Sequence, residues 1–342
     1  MDRLVRISAV LAALVVAVVS VAGQAPSSQG AKSAYTPPKT PWGDPDLQGI
    51  WPGTDNVGVP FERPEQFGNR LFLTEAEFKE REAQAAKQEQ IDVLEFDLQK
   101  PPAEIVALGD VGGVTSPPPH WLERGVPSRQ SSLIVEPANG RMPPMTPDGA
   151  ARQKTAGGTY VKQTGFASAS ELGPYDRCIS RGVVGSMMPV VYNNGNEIIQ
   201  APGYVAFRNE MIHEVRIIPL DGRDALPGSM KSYMGSSRGR FEGNTLVVRT
   251  TNLNGKTGMQ GNGMMLMPSD ALVLEERFTP VSADVLQYEV TINDPKTWTA
   301  PWKVSFPLKR EADYQIFEYA CHEGNNSMRN ILSGSRADER KR

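Results

Sequence analysis

The chain has 342 residues and a formal net charge of −3, from 36 lysines and arginines against 39 aspartates and glutamates. This balance offers no basic face for nucleic acid, so we expect no nucleic-acid partner. The 32 glycines and 28 prolines are typical of turn-rich β structure and argue against a helical protein. A chain of this length forms one large domain or two small ones.

Residues 1–23 have the pattern of a signal peptide. Arg3 and Arg6 precede an uncharged apolar run at 7–21, and small residues lie at 20–22. The run is shorter than the roughly 20 residues that a spanning helix needs, which favours cleavage over an uncleaved membrane anchor. We therefore expect a periplasmic or secreted protein that has no membrane contact after cleavage.

Residues 24–129 are predicted to form a Pro-rich linker, an arm and one surface helix. Ser, Pro and Lys dominate 24–40, as in a linker, and the two tryptophans of 41–51 indicate an arm packed on the main body. The helix is predicted to begin after Thr74, because Thr74 and Glu77 match a capping box. Its apolar positions are sparse, so most of the helix should face solvent.

Residues 130–342 are predicted to form a mainly β domain, either an antiparallel, lipocalin-like barrel or a sandwich. Short runs of strand-forming residues recur between turn signals, which is typical of both architectures. Helical patterns are scarce, which argues against a parallel α/β sheet. The predicted strands are 132–137, 197–200, 204–207, 211–218, 239–241, 245–250, 272–278, 285–292, 302–308 and 315–321.

The functional argument depends on the predicted strand 211–218. Alternation along a strand places His213 on one face with the apolar Val215 and Ile217, and Arg216 on the opposite face. We therefore expect the His213 side chain to point into the interior of the domain.

The two cysteines, Cys178 and Cys321, are predicted to form a disulfide, because a pair of cysteines in an exported protein is more often bonded than free. Two buried thiols are the alternative. The bond would join the start of the strand-rich region to its end, and it would bring His322 and Glu323 close to Cys178.

Five blocks stand out along the chain: PWGDPDLQGIW, EMIHEVRIIPLDGR, SRGRFEGNTLVV, DPKTWTAPW and YACHEGNNSMRNIL. They resemble the recurring blocks of a large family of uncharacterised exported bacterial proteins, and the resemblance extends from about residue 41 to residue 335. It implies export, and a lipocalin-like barrel fits the family pattern by analogy. It implies no particular catalytic residue.

The leading functional hypothesis is a cofactor-independent lyase or isomerase that acts on an apolar small molecule. Histidine titrates near working pH, and a neighbouring carboxylate can orient its ring. Two of the three histidines are followed directly by glutamate, and we expect the last strand to bring both into one chamber. The predicted catalytic residues are His213, His322, Glu210 and Glu323, and the predicted substrate-binding residues are Tyr192, Asn194, Arg216, Arg240 and Asn325.

Other interpretations remain open for the same residues. A divalent metal would need His213 and His322 with Glu214 or Glu323, and His120 as a further ligand, but neighbours on a strand point to opposite faces and no HExxH motif is present. A carrier of an apolar ligand, or a structural envelope protein, would need no paired bases. Histidine rings within about 6 Å of each other in one pocket would favour catalysis. A cavity without histidines would favour a carrier.

Overall fold

The computed structural model describes residues 35–93, 121–154, 156, 158–159, 165–261 and 264–341. The predicted signal peptide and His120 lie outside the described residues. The chain from Tyr35 onward forms one compact unit. Within the described ranges, no helix is both long and apolar enough to cross a membrane.

Most of the regular structure consists of short antiparallel strands, and the longest lie between residues 273 and 309. The described strands are β1 (Gly49–Ile50), β2 (Ile134–Glu136), β3 (Asn196–Ala201), β4 (Tyr204–Asn209), β5 (Val215–Pro219), β6 (Ser236–Glu242), β7 (Thr245–Thr251), β8 (Met259–Gly261), β9 (Met264–Leu266), β10 (Val273–Pro280), β11 (Val285–Asn293) and β12 (Trp302–Lys309).

Helices lie before, between and after the strands. The described α-helices are α1 (Glu75–Asp92), α2 (Pro147–Lys154), α3 (Val183–Met187) and α4 (Ser327–Glu339), and the 3₁₀ turns are Thr54–Asn56, Glu65–Phe67, Ala169–Glu171 and Met211–His213. Helix α1 begins at the predicted capping box: the Thr74 side chain accepts from the Glu77 backbone, and the Glu77 side chain accepts from the Thr74 backbone. It buries none of its residues, which confirms a solvated surface helix.

The strands form two antiparallel sheets and a separate β8–β9 hairpin. The smaller sheet has the order β1-β3-β4-β5, and the larger has the order β2-β12-β11-β10-β7-β6. The mainly β prediction is confirmed. Of its two alternatives, the described strands fit a sandwich and not a closed barrel, because the edge strands β2 and β6 of the larger sheet do not pair with each other.

The core lies between the two sheets. Strands β10, β11 and β12 alternate between buried and half-buried residues, apart from the exposed Asn293 and Lys309 at the ends of β11 and β12, because their apolar side chains recur with period two. The rings of Phe207 on β4 and Phe278 on β10 join the sheets, with centroids 4.6 Å apart. The arm contributes Leu47 and Trp51 to the same core, and β1 pairs with β3. Residues 41–51 are therefore packed on the main body, as predicted.

The predicted strand 211–218 is wrong in its first half, and the expected inward direction of His213 is wrong with it. Met211–His213 is a 3₁₀ turn in which Ile212 and His213 have φ values of 60° and 46°, and β5 begins only at Val215. This turn closes the β4–β5 hairpin. His213 is exposed in this turn, and alternation along β5 leaves Val215 and Ile217 exposed and buries Arg216 and Ile218.

The predicted strand 315–321 is also wrong. Strand β12 already pairs with β11 on one side and β2 on the other, so the chain that leaves Lys309 has no free edge beside β12. Residues 310–326 follow an irregular path instead, and α4, which the sequence did not predict, comes after them. We call residues 310–321 the wall segment, because they form one side of the cavity described below.

Candidate functional site

A cavity of about 980 Å³ lies between the β4–β5 turn and the wall segment. Among the described residues that line it, five are aromatic and four are acidic, and the basic ones are Lys309 and Arg310. The aromatic residues are Trp121, Tyr192, Tyr314, Phe317 and Tyr319, and the acidic residues are Glu123, Glu210, Glu311 and Asp313.

Glu210 is the most buried acid of this cavity, with a relative exposure of 3%. It follows β4 directly, and its carboxylate accepts four hydrogen bonds. The donors are the Asn193 side-chain amide (3.0 Å), the Gly195 backbone (3.2 Å), the Tyr314 hydroxyl (2.8 Å) and the Phe317 backbone (3.1 Å). The carboxylate therefore fixes the wall segment to the smaller sheet.

Glu123 lies on the other side of Tyr314. Its carboxylate accepts from the backbone of Asn193 (2.5 Å), the side chain of Asn194 (2.7 Å) and the hydroxyl of Thr54 (3.2 Å). It also lies 3.0 Å from the Tyr314 hydroxyl. No lysine or arginine of the described ranges forms an ion pair with Glu123 or Glu210.

Tyr314 joins the two acids, and we call Glu123, Tyr314 and Glu210 the cavity network. Burial first, and then the charge of Glu123 and the hydrogen bond to Glu210, raise the pKa of Tyr314, so its phenol keeps its proton. One hydroxyl proton lies within hydrogen-bond distance of two carboxylates and can be donated to only one at a time. Two carboxylates thus compete for the single hydroxyl proton of Tyr314, and the network borders the cavity.

The backbone around this network is adapted to it. A Cβ at Gly195 would lie 2.7 Å from Glu210 Oε2 and 2.8 Å from a Tyr314 ring carbon, so only glycine fits there. Asn193, Ile212 and His213 all have left-handed backbone, with φ values between 46° and 60°. Such conformations cost on the order of 1–3 kcal/mol each and cluster at functional sites.

The two histidines lie close together but outside the cavity lining. Their ring centroids are 6.4 Å apart, and both residues are exposed. His213 Nδ1 lies 2.8 Å from the backbone carbonyl oxygen of Tyr319, to which it donates. His213 therefore contacts the wall segment from outside, and Glu323 is exposed beside His322.

The predicted substrate-binding residues lie in different parts of the molecule. Tyr192 lines the cavity, whereas Asn194 is buried behind it and holds Glu123. Arg240 is exposed and pairs with Glu242 in its own hairpin. Asn325 donates to Cys178 Sγ at 3.3 Å.

Arg216 lies between the sheets, in what we call the core network of Arg216, Glu276 and Tyr288. Arg216 is 7% exposed and Glu276 is fully buried, and they form a two-pronged ion pair. Tyr288 donates to Glu276 at 3.2 Å. Arg216 is therefore placed to join β5 to β10 and does not line the cavity.

The predicted disulfide between Cys178 and Cys321 is present, with a Cα–Cα distance of 5.7 Å. It attaches the end of the wall segment to the chain before α3. A disulfide is consistent with an oxidising compartment. Within the described part of the chain, no three His, Cys, Asp or Glu side chains are grouped so that they could hold a metal ion.

Comparison with known proteins finds no matching family model, no similar curated protein and no similar solved structure. The resemblance to exported bacterial proteins therefore stays a prediction.

Sequence reasoning missed Glu123 and Tyr314. Glu123 follows a Pro-rich stretch that has no motif, and Tyr314 lies in a stretch that was predicted to lead into a strand. Glu210 was predicted because it is a carboxylate near His213 in the sequence. Glu123 and Tyr314 are 191 positions apart in the chain, so no sequence motif could pair them, and only the tertiary structure brings them together.

Proposed function

We propose that the protein binds a small organic molecule in the cavity beside the cavity network. The observation that carries this proposal is the volume of about 980 Å³, bordered by five aromatic side chains and a buried glutamate. Ligand sites combine an apolar wall with a few placed polar groups, and they fall in this size range. Neither histidine lines the cavity, which favours a carrier over histidine catalysis.

The construction of the wall supports the same proposal. The wall segment is attached to β12 at one end and to Cys178 at the other, and Glu210 accepts from the Phe317 backbone between them. A segment held at three points presents its aromatic side chains in a fixed arrangement, which reduces the entropy cost of binding. We further propose export to the periplasm or the medium, supported by the apolar leader and the disulfide.

Titration with the neutral dye Nile red tests the binding proposal. We expect saturable binding to one site, seen as a rise in dye fluorescence. Phe317→Ala should weaken binding about tenfold, because it removes an aromatic wall contact. Phe72→Ala is the matched control, since Phe72 is 61% exposed against 67% for Phe317 but does not line the cavity. Equal effects of the two variants, or no saturable binding, would contradict the proposal.

A second candidate function is a lyase or isomerase that uses glutamate as the base. It is favoured by the cavity network, in which two carboxylates compete for one hydroxyl proton. The carboxylate of Glu210 or Glu123 could take a proton from a carbon of a bound substrate and return it to another carbon, which completes an isomerisation, or to a leaving group, which completes an elimination. Tyr314 keeps its own proton and donates a hydrogen bond to the other acid. This revises the predicted catalytic set: Tyr314 and Glu123 replace His213, His322 and Glu323. It keeps Glu210.

Deuterium exchange distinguishes the enzyme from the carrier. A ligand that copurifies with the protein, identified by native mass spectrometry, would be incubated with the protein in D₂O. An enzyme of this type should incorporate deuterium into the ligand, and Glu210→Gln should abolish the incorporation. A carrier should leave the mass of the ligand unchanged.

A further inference from the structure

We propose that the ligand of this cavity is an organic cation, with an ammonium group and an apolar body. The inference rests on the proposed function, because it names the class of ligand for the same cavity. Its premises are the balance of charge in the lining, the contacts of the two basic residues and the aromatic wall.

The basic residues of the lining are engaged by other partners. Lys309 Nζ pairs with Asp55 at 3.5 Å. The Arg310 guanidinium lies over the Trp51 ring, 4.2 Å from its centroid, and donates to the Gln48 carbonyl oxygen at 3.0 Å. Neither cation forms an ion pair with an acid that lines the cavity.

Two exposed acids of the lining have no ion-pair partner among the described lysines and arginines. Glu311 and Asp313 are exposed at the cavity, and no described lysine or arginine forms an ion pair with either carboxylate. Partial burial, followed by the charges of Asp55 and Glu123, raises the pKa of Glu311, although Lys309 acts in the opposite direction. Apart from burial, Asp55 and Glu123 therefore add negative charge near Glu311, and negative charge at the cavity attracts a cation.

The aromatic wall favours the same class of ligand. Trp121, Tyr192, Phe317 and Tyr319 border the cavity together with Tyr314. The face of an aromatic ring attracts a cation, and walls of several rings recognise quaternary ammonium groups. Aromatic walls without the acids would suit a neutral ligand, and acids without the walls would suit a metal ion. The two together select an organic cation.

Three probes of one shape and different charge test the proposal by displacement of Nile red and by calorimetry. They are benzyltrimethylammonium, its neutral isostere 2,2-dimethylpropylbenzene and the anion phenylmethanesulfonate. We expect the cation to bind about tenfold or more tightly than either competitor, since cation–π and charge contacts are absent from both. Equal or tighter binding of the neutral probe would overturn the inference. Saturable Nile red binding in that case would leave the proposed function standing.

Neutralising the exposed acids of the lining tests whether their charge attracts the cation. Glu311→Gln combined with Asp313→Asn should weaken binding of the cation severalfold and weaken binding of the neutral probe much less, because the substitutions remove charge from the lining and nearly keep its shape. Glu318→Gln is the matched control, an exposed acid of the wall segment that does not line the cavity. Cation affinity should also fall as the pH is lowered and Glu311 is protonated. An equal loss in Glu318→Gln would overturn the inference, and absence of binding by every probe would overturn both proposals.

Discussion

The core network and the cavity network both combine a tyrosine with a buried glutamate, but only the core network contains a cation. Arg216 neutralises Glu276 within the sandwich, and burial and the charge of Glu276 raise the pKa of Tyr288, which stays a neutral donor. The cavity network contains a second glutamate and no arginine, and it borders the cavity.

Pairing of the buried charge separates a structural network from one that can bind a ligand. A buried charge is costly unless it is paired, so a fully paired network inside a core joins structural elements. A network with unpaired negative charge beside a cavity can bind or exchange what enters that cavity. The predictions below test this distinction.

The largest expected effect is in the core network. Arg216→Met should lower the free energy of unfolding by about 3–5 kcal/mol, because it leaves Glu276 charged and unpaired between the sheets. Urea denaturation measures the loss. The double variant Arg216→Met with Glu276→Leu should recover most of it. A double variant as unstable as the single one would contradict the assignment of this pair as a compensated charge.

The disulfide should matter for both stability and binding. Replacing Cys178 and Cys321 with serine should cost about 2–4 kcal/mol, although the long loop would allow somewhat more in the chain-entropy model. Because the wall segment loses one attachment, Nile red should also bind more weakly. An unchanged Kd for Nile red would show that the disulfide does not hold the cavity wall in place.

Gly195→Ala tests the fit of the cavity network. The new methyl group would meet Glu210 and Tyr314 within 3 Å, and such overpacking costs about 1–3 kcal/mol. Gly228→Ala is the control, since no atom lies within 4 Å of a Cβ there and its φ is not left-handed. Thermal unfolding should separate the two variants, and equal melting temperatures would argue against a tight network.

The two tyrosines provide a direct comparison of the networks. Tyr288→Phe should cost about 1 kcal/mol, because Arg216 continues to donate to Glu276. Tyr314→Phe should cost more, up to about 3 kcal/mol, because its hydroxyl lies between two carboxylates with which no described arginine or lysine forms an ion pair. Urea denaturation of both variants at one pH measures the difference. A larger loss in Tyr288→Phe would reverse the interpretation.

The smallest effect concerns Glu214, which accepts from Ser180 at 3.2 Å and Ser186 at 3.0 Å. Burial raises the pKa of Glu214, more than these hydrogen bonds and the charges of Arg216 and Arg181 lower it. The folded state therefore binds this proton more tightly than the unfolded state, so stability from this group rises as the pH falls toward the ordinary value of 4.5. Glu214→Gln should flatten that part of the pH profile of Tm, and an unchanged profile would contradict the shift.

The sequence predicted most of the larger sheet. Strands such as Val285–Asn293 and Trp302–Lys309 alternate cleanly, so the period-two pattern located them within one residue or so at each end. The capping box predicted where α1 begins, because this motif lies within four consecutive residues. These strands and this helix start could be predicted because each depends on residues that are close together in the sequence.

The site was predicted less completely. His213 was assigned by alternation, but two left-handed residues at 212 and 213 end the strand pattern and turn the side chain outward. The φ values of individual residues do not follow from an apolar-polar pattern, and the neighbouring Glu210 is held by two other segments, 193–195 and 314–317. The predicted catalytic residue Glu210 and the predicted substrate-binding residue Tyr192 both line the cavity, whereas Glu123 and Tyr314 were not considered.

The amino-acid sequence by itself determined the fold class, the long strands, the capped helix and the cysteine pair, because each depends on residue type and short-range spacing. Only the tertiary structure decided that the sheets form a sandwich, that Arg216 is paired in the core and that Glu123, Tyr314 and Glu210 meet at a cavity. These depend on which chain segments lie side by side, and that is a property of the whole packed chain.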